Sequence, residues 1–138
     1  MLIFSAVTFK EATAGDSITV FVEVEGFRNE NGFCRLLLYE NAKGFPDSPE
    51  DAKLMISRKI DGKTLDIIFK IIPGRYALVV LHDENSNKKM DKTWYGKPKE
   101  GFGTSNNPKI KFSPPEFEES SIDINNKDNY IKIKMQYL

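Results

Sequence analysis

Between Ser17 and Gly26 the chain alternates. Ile18, Val20, Val22 and Val24 fall on one parity, Thr19, Glu23 and Glu25 on the other. A period of two over this length predicts a half-buried strand. Phe21 interrupts the polar parity and is expected to lie under a loop. Asn31-Gly32 is a turn signal. Gly32 to Glu40 follows as a second strand, apolar on both parities around Leu36, Leu37 and Leu38, which predicts a central position in a sheet.

Asn41 to Pro49 reads as a loop, punctuated by Gly44, Pro46 and Pro49. Ser48-Pro49-Glu50-Asp51 then has the form of a helix start: Ser before it, Pro in its first turn and acids beside the N-terminal dipole. One short helix is expected over 49–54. Met55 to Ile60 and Lys63 to Ile72 are two further strands flanking Asp61-Gly62. Asp-Gly between apolar runs predicts a tight hairpin, because both turn positions favour positive φ. Pro73-Gly74 makes the next turn, and Arg75 to His82 the next strand. Ser121 to Ile124 and Tyr130 to Tyr137 close the chain, the latter with Ile131, Ile133, Met135 and Tyr137 alternating with Lys132, Lys134 and Gln136. About seven short strands with little helix predict an all-β fold, an antiparallel β-sandwich, over residues 15–138 as one domain.

The stretch from Asp83 to Glu119 breaks this pattern. It is rich in Asn, Lys, Gly and Pro, with one short candidate strand at Lys109 to Phe112. A long irregular connection inside a small domain is usually functional or held in place by something. At its start, Asp83, Asn85, Asn87, Lys89 and Asp91 occupy positions one, three, five, seven and nine of a loop. Loops that bind hard cations take oxygen ligands from these positions: side chains at one, three, five and nine, and a backbone carbonyl at seven. Calcium is the cofactor this spacing suggests, weakly held and structural. Position six is Lys88 where such loops carry Gly, and position twelve is Trp94 where they carry Glu. Glu84 and Glu100 are the carboxylates that could complete a shell. The same residues also suit a metal-free turn, since Asp and Asn side chains bond to their own backbone two residues on.

Composition narrows the partners. The 138 residues carry 20 Lys+Arg and 20 Asp+Glu, and this balance argues against nucleic acid. No run is long enough for a transmembrane segment. Met1 to Phe9 is apolar and Ala12-Thr13-Ala14 precedes Gly15, the small-x-small form of an export cleavage site. Residues 1–14 are thus expected to be part of a signal peptide; a plain first strand using Ile3, Ala6, Val7 and Phe9 is the other reading. The single Cys34 lies in an apolar run and is expected to be buried.

The chemistry-bearing residues are few. His82 is the single histidine. No G-x-S-x-G elbow accompanies it, so a hydrolase triad has little support. Gly96, Gly101 and Gly103 lack the strand-loop-helix setting of a phosphate loop and are read as tight turns. Ser105-Asn106-Asn107 is expected to satisfy backbone groups beneath this loop. Trp94, Tyr95 and Phe102 could stack on a sugar or anchor a peptide, or cap one end of the core. Pro114-Pro115 followed by Glu116, Phe117, Glu118 and Glu119 reads as a stiff acidic crossing between sheets.

Taken in order, several segments resemble one family. They are Gly26-Phe27-Arg28-Asn29-Glu30-Asn31-Gly32, Gly44-Phe45-Pro46, Gly74-Arg75-Tyr76-Ala77, His82 to Asn87 with Met90-Asp91, Gly96 to Gly103, Ser105-Asn106-Asn107 and Phe112 to Glu118. This order resembles a bacterial family of exported proteins known as domain of unknown function 2141. The resemblance implies export to the periplasm or cell surface. It also implies a transthyretin-like (prealbumin, Greek-key) or carboxypeptidase-regulatory-type sandwich, and no established activity. Lys88 stands where the family usually has Gly. The function expected is that of a noncatalytic exported module that binds an envelope protein or glycan. A carbohydrate- or peptide-binding module is the alternative, and a small hydrolase using His82 a third.

Overall fold

The computed structural model describes residues 16–87, 100–110, 113–125 and 128–138. The candidate export segment, the strand proposed within it and the second half of the candidate cation loop lie outside these. Among the described residues eight strands form two sheets: β1 (Ile18–Glu25), β2 (Phe33–Tyr39), β3 (Leu54–Lys59), β4 (Thr64–Ile71), β5 (Gly74–Asp83), β6 (Phe102–Thr104), β7 (Ser121–Ile124) and β8 (Asp128–Lys134). One sheet has the order β4-β1-β8, the other β3-β2-β5-β6, with β7 also paired to β5. The all-β sandwich expected from the alternation is the fold observed.

The period-two pattern of β1 maps onto burial residue by residue. Val20, Val22 and Val24 are fully buried, and the intervening residues are half-exposed. They face Cys34, Leu36 and Leu38 of β2 and Tyr76, Leu78 and Val80 of β5 in the main core, joined by Ile67, Phe69, Ile124, Ile133 and Met135. Each fully buried aliphatic side chain contributes about 1.5–3 kcal/mol, which makes this layer the main source of stability.

β2 and β5 are apolar on both parities because both faces of their sheet are covered. Leu37, Tyr39, Ala77, Val79 and Leu81 point away from the first sheet and form a second core with Phe102, Ile110 and Phe117. The connections themselves supply this cover. Phe45 sits edge-on to Tyr39 at 5.4 Å and to Phe117 at 5.9 Å between ring centres.

Three local expectations are corrected. Asp61-Gly62 does not close a hairpin. β3 pairs with β2, with Ile56 opposite Leu36, whereas β4 pairs with β1, with Phe69 opposite Val20. The turn carries the chain across the sandwich, and Gly62 has no positive φ. A turn signal specifies a reversal and not the partner; the open edge of the doubly apolar β2 decides where β3 goes. Second, the sandwich is not purely antiparallel, since β8 runs parallel to β1. That register sets Ile131 beside Val22 and Ile133 beside Val24, keeping the apolar parity of β8 inward. Third, the helix expected at 49–54 is a single 3-10 turn over Pro49–Asp51, preceded by Ser48 without a side-chain cap.

Two elements went unread in the sequence: β6, and a one-turn helix α1 (Phe117–Ser120) within the acidic crossing. Glu119 starts α1 by accepting the Glu116 N–H at 2.8 Å. Of the candidate strand at Lys109 to Phe112, Ile110 is a buried loop residue and Lys111 and Phe112 lie outside the described residues.

Candidate functional site

The site is built where β5 ends and the irregular connection begins. β5 has two neighbours on one edge. β7 pairs with its first half, Ser121 opposite Ala77, and β6 with its second, Phe102 opposite Leu81. Ser105 fills the gap between them. Its N–H donates to the Leu78 carbonyl and its hydroxyl accepts the Leu78 N–H, both at 3.0 Å. The Asn106 side-chain amide donates to the carbonyls of Glu119 and Ser121. The Asn107 side chain donates to the Lys132 carbonyl and accepts the Lys134 N–H, each at 2.9 Å, as a neighbouring strand would. Asn106 and Asn107 do this with φ of 67° and 49°, which Asn tolerates better than most residues. The backbone-satisfying role expected of this triplet is the one observed.

His82 is the first residue of the site and is fully buried. Its Nε2 lies 2.8 Å from the Asn31 carbonyl oxygen, and its Nδ1 lies 2.7 Å from the Tyr137 hydroxyl. A carbonyl only accepts, so Nε2 carries the hydrogen. In the neutral ring Nδ1 then accepts from Tyr137, whose oxygen in turn accepts the Arg28 N–H at 3.1 Å. Phe27 packs edge-on against the imidazole at 5.4 Å. The Asn31-Gly32 turn is pressed against the end of β5: Gly32 has φ of 72°, and a Cβ there would run into the Asp83 carbonyl.

Asp83 points to the opposite face and is 2% exposed. Its Oδ2 accepts from both Nε and Nη2 of Arg35 at 2.9 Å. Its Oδ1 accepts the Asn87 N–H at 3.0 Å, closing the turn that Ser86 enters with φ of 59°. Asn85 Oδ1 accepts the same N–H at 3.3 Å. Arg35 Nη1 donates to Ser57 Oγ at 2.6 Å, and its guanidinium lies 5.0 Å from the Phe33 ring centre.

Glu84 forms the outer layer. Arg28 donates Nη2 to Oε1 at 2.7 Å and Nε to Oε2 at 3.0 Å, and Asn29 Nδ2 donates to Oε2 at 2.7 Å. These donors hold the Glu84 carboxyl below the usual range, Arg28 foremost, against the opposing effect of burial. The Glu84 N–H donates to Oε2 of Glu100, itself 5% exposed, at 2.8 Å. Glu100, two residues before β6, is therefore tied to the residue that follows β5.

The candidate cation loop divides here. Asp83, Asn85 and Asn87 are brought together by the turn, while Lys89 and Asp91 lie outside the described residues. Among the described residues no three His, Cys, Asp or Glu side chains are grouped to hold a metal. The candidate aromatics divide too. Phe102 is 4% exposed and belongs to the second core, whereas Trp94 and Tyr95 lie outside the described residues. Cys34 is fully buried, and burial pushes its thiol up to about 12. Among the described residues no helix is long and apolar enough to cross a membrane.

Sequence reasoning placed Asp83 and Glu84 but missed their partners. Arg35 carried a signal: a charge inside an apolar strand must be paired. Arg28 and Asn29 entered only as part of a family-like segment and Tyr137 only as an alternating strand position, because their contacts depend on distant parts of the chain meeting beside β5.

No curated protein and no solved structure matches the chain. A family profile matches residues 22–132, most of its length, and is described as an uncharacterized protein conserved in bacteria. With that match, which runs from within β1 to within β8 and takes in His82, Asp83, Glu84, Arg28 and Arg35 of the site but not Tyr137, the chain belongs to the bacterial family DUF2141.

Proposed function

We propose that the chain is a noncatalytic binding or accessory module of the bacterial cell envelope, exported to the periplasm or cell surface, which uses the end of β5 to present the connection after Asn87. One observation carries this reading: the ionisable groups at the end of β5 are spent on contacts within the fold. Both nitrogens of His82 are hydrogen-bonded inside the fold, Asp83 is paired with Arg35, and Glu84 is clamped by Arg28 and Asn29. A histidine acting as general base needs a ring nitrogen within reach of a substrate proton; His82 has neither exposure nor a vacant nitrogen.

Within this reading, the loop from Asp83 to Asp91 takes calcium weakly, with Asp83 and the Asn85 and Asn87 turn as its first half. A thermal melt across a calcium titration tests this. Calcium at about ten times its dissociation constant would stabilise the fold by about 1.4 kcal/mol, a rise of a few degrees in Tm. No rise at millimolar calcium would remove the cation from the proposal. Emission from the single Trp94 during glycan or peptide titration tests the alternative ligand class, and unchanged emission throughout counts against it. Export is tested by fractionating cells that express the full gene: recovery in the cytoplasm alone sinks it.

A further inference from the structure

The two sheets differ in what covers their outer faces. That of the β2–β5 sheet is roofed by Phe45, Ile110 and Phe117. The outer face of the β4-β1-β8 sheet carries Ile68, Phe21 and Tyr130 in one row across all three strands. Ile68 is 55% exposed and Tyr130 68% exposed. The next row along the strands is Asp66, Glu23 and Lys132. Tyr130 donates its hydroxyl to Glu23 Oε1 at 2.7 Å, which ties the two rows together. A shallow cleft of about 100 Å³ runs between Phe21, Glu23, Asp66, Ile68 and Tyr130.

The geometry points to a second copy of this chain as the occupant of this face, stacked on it about a two-fold axis parallel to β1. The charge pattern is the reason. Such an axis sets β1 over β1 and exchanges the β4 and β8 edges. Asp66 of each copy then faces Lys132 of the other, giving two opposite-charge pairs. Ile68 faces Tyr130 of the second copy, and Phe21 faces its own counterpart. Glu23 meets Glu23 at the axis, each already accepting a hydrogen bond from Tyr130 and flanked by Lys132 of its own sheet. Isologous interfaces require this kind of self-complementarity, and sheets stacked face to face interdigitate their side chains at a spacing of about 10 Å. Strand spacing and rise give the face roughly 400 Å² per copy. That is about half of a standard interface, so association is weak, in the range of about 10 µM to 1 mM.

The test is sedimentation equilibrium on the wild type and two charge-swapped variants, Asp66→Lys and Lys132→Asp. Both positions are exposed, so the substitutions leave the core untouched. The wild type is expected to pass from monomer to dimer over about 10 µM to 1 mM, more readily at low salt. Each variant alone brings like charges together twice and should associate at least about tenfold more weakly. An equimolar mixture of the two restores both opposite-charge pairs and should form heterodimers. A wild type that stays monomeric throughout overturns the proposal and leaves the face to a different partner. So does self-association that survives in either variant, or a mixture no more associated than its components.

Discussion

Arg35 and Asp83 form a buried ion pair on the outer face of the β2–β5 sheet, with two guanidinium nitrogens each 2.9 Å from one carboxylate oxygen. They stand 48 residues apart in the chain. The pair ties the centre of β2 to the last residue of β5, so the position of the loop and the integrity of the sheet are one problem. Replacing Asp83 with Ala strands a buried guanidinium and releases the Asn87 N–H. A loss of about 3–5 kcal/mol is expected in urea denaturation. The double variant Arg35→Met with Asp83→Leu should recover most of it, because two apolar groups need no counter-charge. Equal losses in the single and double variants would show that the pair does not couple the two strands.

His82 and Tyr137 offer a sharper test of the inner face. Tyr137→Phe removes the donor to Nδ1 and the acceptor of the Arg28 N–H together. It is expected to cost about 1–3 kcal/mol, the range for leaving one buried polar group, here His82 Nδ1, unsatisfied. Nitrogen-15 NMR of the wild-type imidazole should show the hydrogen on Nε2, where the Asn31 carbonyl requires it. A ring with its hydrogen on Nδ1 would contradict the network.

The Glu84 clamp makes a prediction about acid. Its carboxyl is held below its ordinary value of 4.5 in the folded chain, chiefly by Arg28. A depressed folded value means that the stabilisation is present above the unfolded value and is lost as pH falls through the folded one. The stability difference between the wild type and Glu84→Gln should therefore be constant near neutrality and shrink below about pH 4.5. Because Arg28 is 45% exposed, the full difference is modest, about 0.5–1 kcal/mol. A difference that grows on acidification would reverse the assigned sign.

Cys34 should be inert in the native state. Its thiol is fully buried and pushed up to about 12, so almost no thiolate exists at neutral pH to attack a disulfide reagent. Labelling with such a reagent is expected only at the rate of unfolding, and should be complete in denaturant. Rapid labelling of the folded chain would show an open path to the core that the packing of β1 over β2 does not contain.

Much of the architecture was legible in one dimension. The alternation of Ile18, Val20, Val22 and Val24 is a direct record of burial, since successive strand residues face opposite sides. The doubly apolar run through Leu36, Leu37 and Leu38 marked a central strand covered on both faces. Asn31-Gly32 and Ser105-Asn106-Asn107 announced their backbone roles through residue types that tolerate positive φ or carry their own donors and acceptors. Asp83 to Asn87 was recognisable as a turn of Asx residues, and the family likeness along the chain rested on these same segments.

Partnership was decided in three dimensions. Nothing local tells β3 to join β2 and β4 to join β1, because the Asp61-Gly62 turn serves a hairpin and a crossing equally well. Nothing local sets β8 parallel to β1, gives β6 and β7 one shared edge, or brings Tyr137 to His82 and Arg35 to Asp83. Period and turn chemistry report how each residue meets water and its immediate neighbours. Which strand lies alongside which depends on closing long loops so that every apolar face and every buried polar group is satisfied at once, and that condition exists only in the assembled fold.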